Sequence, residues 1–129
     1  MKLEVEGKKP IEDVREAQVR RAIKALKSYG PSSYASLTDE RGNYVQVAGG
    51  GASCMIERYK IENSARFRAF HDTPSPVRPD GTILSFRAGN IPMRSDEWFM
   101  SDQVADVFVS FLKGYPFPSY IHWRASPGF

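Results

Sequence analysis

The chain has 129 residues, 41% of them apolar and 26% charged, with 18 Lys+Arg against 15 Asp+Glu for a formal net charge of +3. That length and balance suit a single α+β-sized globular domain, 1–129, and exclude a disordered chain. No apolar run approaches the roughly 18 residues needed to cross a bilayer, and Met1-Lys2-Leu3-Glu4-Val5-Glu6 leads into no secretory segment, so a cytoplasmic protein with no membrane partner is expected.

The first element is a helix. From Ile11 to about Lys27, Val14, Val19, Ala22, Ile23 and Leu26 fall on one stripe at three-and-four spacing. Pro10 suits the first turn, acidic residues cluster early, and Arg20, Arg21, Lys24 and Lys27 sit late, as the helix dipole favours. Gly30-Pro31 stops it. A strand-rich middle follows: Tyr34–Thr38, Tyr44–Ala48, Ser53–Lys60 and Ala65–His71, joined by Asp39–Gly42, Gly49–Gly51 and Glu62–Ser64. Connections this short make neighbouring strands antiparallel. Asp72–Gly81 is a loop stiffened by Pro74, Pro76 and Pro79. Thr82–Ala88 reads as a strand, Gly89-Asn90 as a turn, and Ile91–Met93 as a brief pairing segment. Ser101 is the expected N-cap of a second helix, with Val104, Val107, Phe108, Phe111 and Leu112 on its apolar face and Gly114 ending it. Tyr120–Arg124 is the last strand. The sum is an α+β two-layer domain: an antiparallel meander of about five to six strands packed with an N-terminal and a C-terminal helix.

The residues capable of chemistry are few. Cys54 is the only cysteine, so an intramolecular disulfide is impossible and a cysteine-based zinc site lacks ligands. Cys54 with His71 or His122 has the composition of a nucleophile and base, but it shares a strand face with Ile56, which favours a buried structural thiol. His71 and Asp72 are adjacent, and adjacent strand residues point to opposite faces, so they read as a surface pair. His122 has no partner nearby in sequence. Gly49-Gly50-Gly51 leads into Ala52-Ser53-Cys54 and a strand, not into Lys-Ser and a helix, and so reads as a hairpin turn or bulge rather than a phosphate loop. Arg66 and Arg68 share one strand face; Arg87 extends it from another strand, and Arg58 joins if register permits. Near Tyr59, Phe70 and Phe86 this is the composition of a nucleic-acid-binding sheet, although the Arg/Lys-Gly-Phe consensus is missing. The plain alternative is a solvated face beside Glu57 and Glu62. Asp96 and Glu97 precede Trp98, Phe99 and Met100, which are core or a partner anchor.

Two stretches carry a family resemblance. One is Gly42-Asn43-Tyr44-Val45-Gln46-Val47-Ala48-Gly49-Gly50 with the strand that follows to Glu57. The other is the helix Ser101–Leu112, then Lys113-Gly114-Tyr115-Pro116 and a closing strand with Trp123. Over residues 34–124 this resembles the immunity proteins of bacterial polymorphic toxin systems, in particular the family numbered one. The resemblance implies a small α+β cytoplasmic protein, encoded beside a toxin, that binds the toxin domain and blocks it. Such toxins are often nucleic-acid deaminases. It implies no catalytic residue, no cofactor and no metal. Candidate partner-binding residues are then Val77 and Arg78 on the rigid loop, the Arg66, Arg68 and Arg87 face, and Asp96 and Glu97. A nucleic-acid-binding module on the arginine-rich face is the alternative, ranked below a protein partner. The sequence leaves the oligomeric state open.

Overall fold

The computed structural model describes residues 1–126. In chain order its elements are β1 (Lys2–Val5), α1 (Glu16–Ala25), β2 (Tyr34–Thr38), β3 (Tyr44–Gly50), β4 (Ser53–Lys60), β5 (Ala65–Phe70), β6 (Thr82–Phe86), β7 (Gly89–Met93), α2 (Ser101–Lys113) and β8 (His122–Ala125). Six strands form one antiparallel sheet in the order β1-β2-β3-β4-β5-β8, and β6 and β7 form a separate hairpin. The α+β architecture expected from the sequence, with a helix near each end, is the one adopted.

Register sorts the side chains of the large sheet onto two faces. Leu3, Leu37 and Val45 align across β1–β3, and Ala35, Val47 and Ile56 across β2–β4. These residues are buried with Val19 and Ile23 of α1 and Val104, Val107 and Phe108 of α2 in one core. Each such Leu, Ile or Phe contributes about 1.5–3 kcal/mol of burial. The two helices are tied together across their exposed flanks. Arg20 reaches both Glu16 and Asp106, and Lys113 reaches Glu16. Among the described residues, no helix is long and apolar enough to cross a membrane.

On the opposite face, the hairpin covers one end of β3 and β4. Ala48 and Met55 meet Leu84, Phe86, Ile91, Met93 and Trp98 in a second, smaller core. β6 and β7 therefore stand outside the meander, and the sixth strand of the large sheet is β1. Their turn is Arg87-Ala88, since Phe86 already pairs with Gly89. Gly89-Asn90, expected as the turn, is strand.

The first helix is shorter than its apolar stripe. Ile11 exchanges backbone hydrogen bonds of 2.9 Å with Leu3, Val14 N–H donates to Met1, and Asp13 sits at φ 49°. Residues 11–14 thus serve the sheet edge, and helix begins only at Glu16. The N-cap of α2 is Met100 rather than Ser101, with the Gln103 side chain accepting its backbone N–H at 2.9 Å. Gly114 ends α2 at φ 69°, as expected. The β3–β4 connection is a tight hairpin in which Gly50 pairs with Ser53. Gly50 also lies directly against the Leu26 carbonyl, where the chain leaves α1, and any Cβ would collide with that backbone.

Candidate functional site

Away from the helices, two polar rows cross the large sheet. Glu4, Ser36, Gln46, Glu57, Arg68 and Arg124 stand side by side on six successive strands. Lys2, Thr38, Tyr44, Tyr59 and Arg66 form the row beside it. Both rows follow from strand alternation: along each strand their neighbours point to the helix side and, in β4, include Arg58 and Lys60 beside apolar residues.

In the second row, the Tyr44 and Tyr59 rings stack with centroids 5.1 Å apart and planes at 21°. The Arg66 guanidinium lies 5.0 Å from the Tyr59 centroid and its Nε donates to the Tyr44 hydroxyl at 3.3 Å. In the first row, Gln46 Nε2 donates to Glu57 Oε1 at 2.7 Å and Ser126 Oγ to Glu57 Oε2 at 3.2 Å. Glu57 is fully buried, and burial pushes its carboxyl above the ordinary range even though these hydrogen bonds and the charges of Arg68 and Arg66 pull it down.

The row ends in an ion-pair network. Arg124 grips Asp96 with two hydrogen bonds, 3.1 and 2.7 Å, and reaches Glu97 at 3.3 Å, while its guanidinium covers the Phe70 ring at 4.0 Å. Arg68 donates to Glu97 at 3.4 Å and to the Pro92 carbonyl at 3.1 Å. The buried Glu97 also accepts the Arg94 backbone N–H at 2.8 Å. A cleft of about 180 Å³ opens here, lined by Arg68, Pro92, Arg94, Glu97, Arg124, Ala125 and Ser126. Bidentate pairing and burial hold these side chains in fixed orientations.

The sequence candidates divide accordingly. Arg66, Arg68, Asp96 and Glu97 come together on this face. Arg87 belongs to neither row. It lies in the β6–β7 turn, where its N–H donates to Ser28 and its side chain reaches the Pro31 carbonyl at 3.4 Å. Arg78 is engaged inside the molecule. It donates to the Ala52 carbonyl at 3.0 Å and to Ser53 Oγ at 2.7 Å, and it covers the Trp98 ring at 4.3 Å. Val77 beside it is 80% exposed. Arg58 falls on the helix face, opposite Val45 and Phe67. Trp98 and Phe99 are core, and Met100 is exposed. Tyr44, Gln46, Glu57 and Arg124 complete the face. Their alternation with apolar neighbours was visible, but not their cross-strand partners.

Cys54 is buried, and burial pushes its thiol from 9.0 to about 12, so a thiolate nucleophile does not form near neutral pH. His71 Nε2 is hydrogen-bonded to the Trp98 carbonyl at 2.8 Å, and its ring packs edge-on against Phe99. It is a packed side chain rather than the surface group expected. Asp72 pairs with His122 at 3.1 Å instead of with its neighbour. Among the described residues, no three or more His, Cys, Asp or Glu converge as a metal site requires.

Comparison of the chain with known protein families, with curated proteins and with solved structures found no match.

Proposed function

We propose that this chain is an immunity-type inhibitor that acts in the cytoplasm by covering the working cleft of a cognate bacterial toxin domain, a nucleic-acid-acting enzyme such as a deaminase. The observation that carries the reading is the preassembled polar face, above all the Tyr44–Tyr59–Arg66 stack beside the Arg68–Glu97–Arg124–Asp96 network. Tyrosine and arginine are the side chains in which interface energy concentrates. A standard interface needs about 800 Å² from each partner, which one sheet face can supply. Side chains already fixed by stacking and ion pairing lose little freedom on binding. The mixed charge of this face suits a protein surface, since Asp96 and the buried Glu57 and Glu97 stand among the arginines and oppose a run of phosphates. The resemblance of residues 34–124 to polymorphic-toxin immunity proteins supports the same reading.

The test is co-expression with the toxin domain encoded beside it, followed by purification. The wild-type chain is expected to protect the cells and to co-purify with the toxin. The pair Tyr59→Ala and Arg66→Ala is expected to weaken the complex by about 2 kcal/mol or more, roughly thirtyfold. Cell death despite wild-type chain, with no complex formed, overturns the proposal. The stacked tyrosines also favour a second reading, a platform for single-stranded nucleic acid. In that case the same pair of substitutions abolishes a strongly salt-dependent affinity for an oligonucleotide.

A further inference from the structure

Arg58 is an anomaly of the helix face. Its position in β4 places a cation among residues that pack beneath α1 and α2. The guanidinium is clamped between two aromatic rings, 4.8 Å from the Phe117 centroid and 5.2 Å from that of Trp123, the rings themselves lying edge to face. No described carboxylate, carbonyl or hydroxyl hydrogen-bonds it. Every other arginine in contact with an aromatic ring here also has an oxygen partner: Arg66 has Tyr44, Arg78 has Ala52 and Ser53, and Arg124 has Asp96. Among the described residues, the Arg58 guanidinium is half-buried with aromatic rings and no hydrogen-bond acceptor as its partners, and burial pulls its proton affinity down.

The open side of Arg58 faces a cleft of about 340 Å³, many times the roughly 30 Å³ that a water molecule occupies. Arg41, from the β2–β3 turn, and Lys60, two residues along β4, line the same cleft. Glu62 is the one acid there, and it is drawn to Lys60 at 3.5 Å. The nearby Asp39 is turned to the backbone N–H groups of Arg41 and Asn43. Three cations therefore line the cleft with one carboxylate, which pairs with Lys60, while Arg58 is held by its rings with no described hydrogen bond to its guanidinium. Planar guanidinium donors held by aromatic rings match the oxygens of a phosphoryl or carboxylate group.

We propose that the Arg58 cleft binds a small oxyanion, a phosphoryl or carboxylate group, at a site separate from the polar sheet face. Arg58 supplies the central fork of donors, and Arg41 and Lys60 close over the anion from the rim. Because the site lies on the helix side of the sheet, it stands or falls independently of toxin binding.

The experiment follows thermal unfolding of the purified chain, together with the Trp123 indole N–H signal in NMR spectra, during titration with inorganic phosphate or acetate. Ionic strength is held constant with chloride. A saturable rise in Tm accompanied by a shift of the Trp123 signal is expected, since a ligand of the folded state stabilises it. The anion that gives the response names the group. Arg58→Gln and Arg41→Gln are each expected to weaken the response roughly tenfold or more, whereas Lys8→Gln, the same charge change at a remote exposed residue, leaves it intact. If Arg58→Gln does not fold, Arg41→Gln on its exposed turn decides alone. No saturable response to either anion, or a response that survives Arg41→Gln undiminished, overturns the proposal.

Discussion

Glu57 is the residue at which the two faces of the sheet conflict. It belongs to the polar rows by alternation, yet it is fully buried, with Gln46 and Ser126 supplying its hydrogen bonds. Burial raises its carboxyl above the ordinary value of 4.5, so the folded chain holds this proton more tightly than the unfolded chain does. The folded state then binds more protons, and stability falls as pH rises from about 4.5 through the raised value. Glu57→Gln keeps an oxygen for Gln46 and removes the charge. Urea midpoints measured from about pH 4.5 to about pH 7 should show a smaller decline with pH in this variant than in the wild type. A decline of unchanged size would place the titrating group elsewhere. Composition makes Glu57 look like an ordinary solvated residue. One of its hydrogen bonds comes from Ser126, 69 positions away, a separation over which sequence patterning carries no information.

Among the elements, the β3–β4 hairpin is held close to the chain leaving α1. Gly50 sits between its own strand and the Leu26 carbonyl, with backbone on both sides and no flexible side chain to move aside. Gly50→Ala is expected to destabilise the fold by at least about 2 kcal/mol, read as a lower urea midpoint at unchanged slope. At Gly51, by contrast, a Cβ meets nothing within 4 Å, although its φ of 62° still disfavours a side chain. Of the three glycines read as a turn only Gly51 lies in it, since Gly49 and Gly50 end β3 and pair with Cys54 and Ser53; the need for glycine at position 50 was not legible, because Leu26 comes from another element. The same limit explains the ends of α1. Its stripe runs unbroken from Ile11, but Leu3 captures Ile11 as a strand partner, and four residues of β1 are too few for their own alternation to announce. α2 was read almost to the residue because thirteen residues with a strong apolar face and a terminal glycine are specified locally. On the candidate face, Arg66 and Arg68 were legible as one side of one strand. Arg124 joined them only through the pairing of β5 with β8, and Arg87 left them because β6 ends at Phe86 and pairs with β7 in a separate hairpin, which puts Arg87 in its turn.

Across the whole molecule, Cys54 is a natural reporter of cooperative unfolding. It lies between sheet and helices, its backbone bridges Phe99, and its thiol is held at about 12. Alkylation by iodoacetamide near neutral pH is expected to track global opening, so the rate in urea should rise in parallel with the unfolded fraction. Rapid labelling in the absence of urea would mean that the layers part locally at this point.

The placement of β8 beside β5 carries one more consequence. The two strands are partners in the sheet, but β6, β7 and all of α2 lie between them along the chain. During synthesis, β5 can pair with β4 on one side, but the amide and carbonyl groups of its outer edge stay unmatched until the ribosome releases the residues near His122. Through that interval the nascent protein presents a sticky strand edge, and a chaperone that shields such edges would be of greatest service to it then.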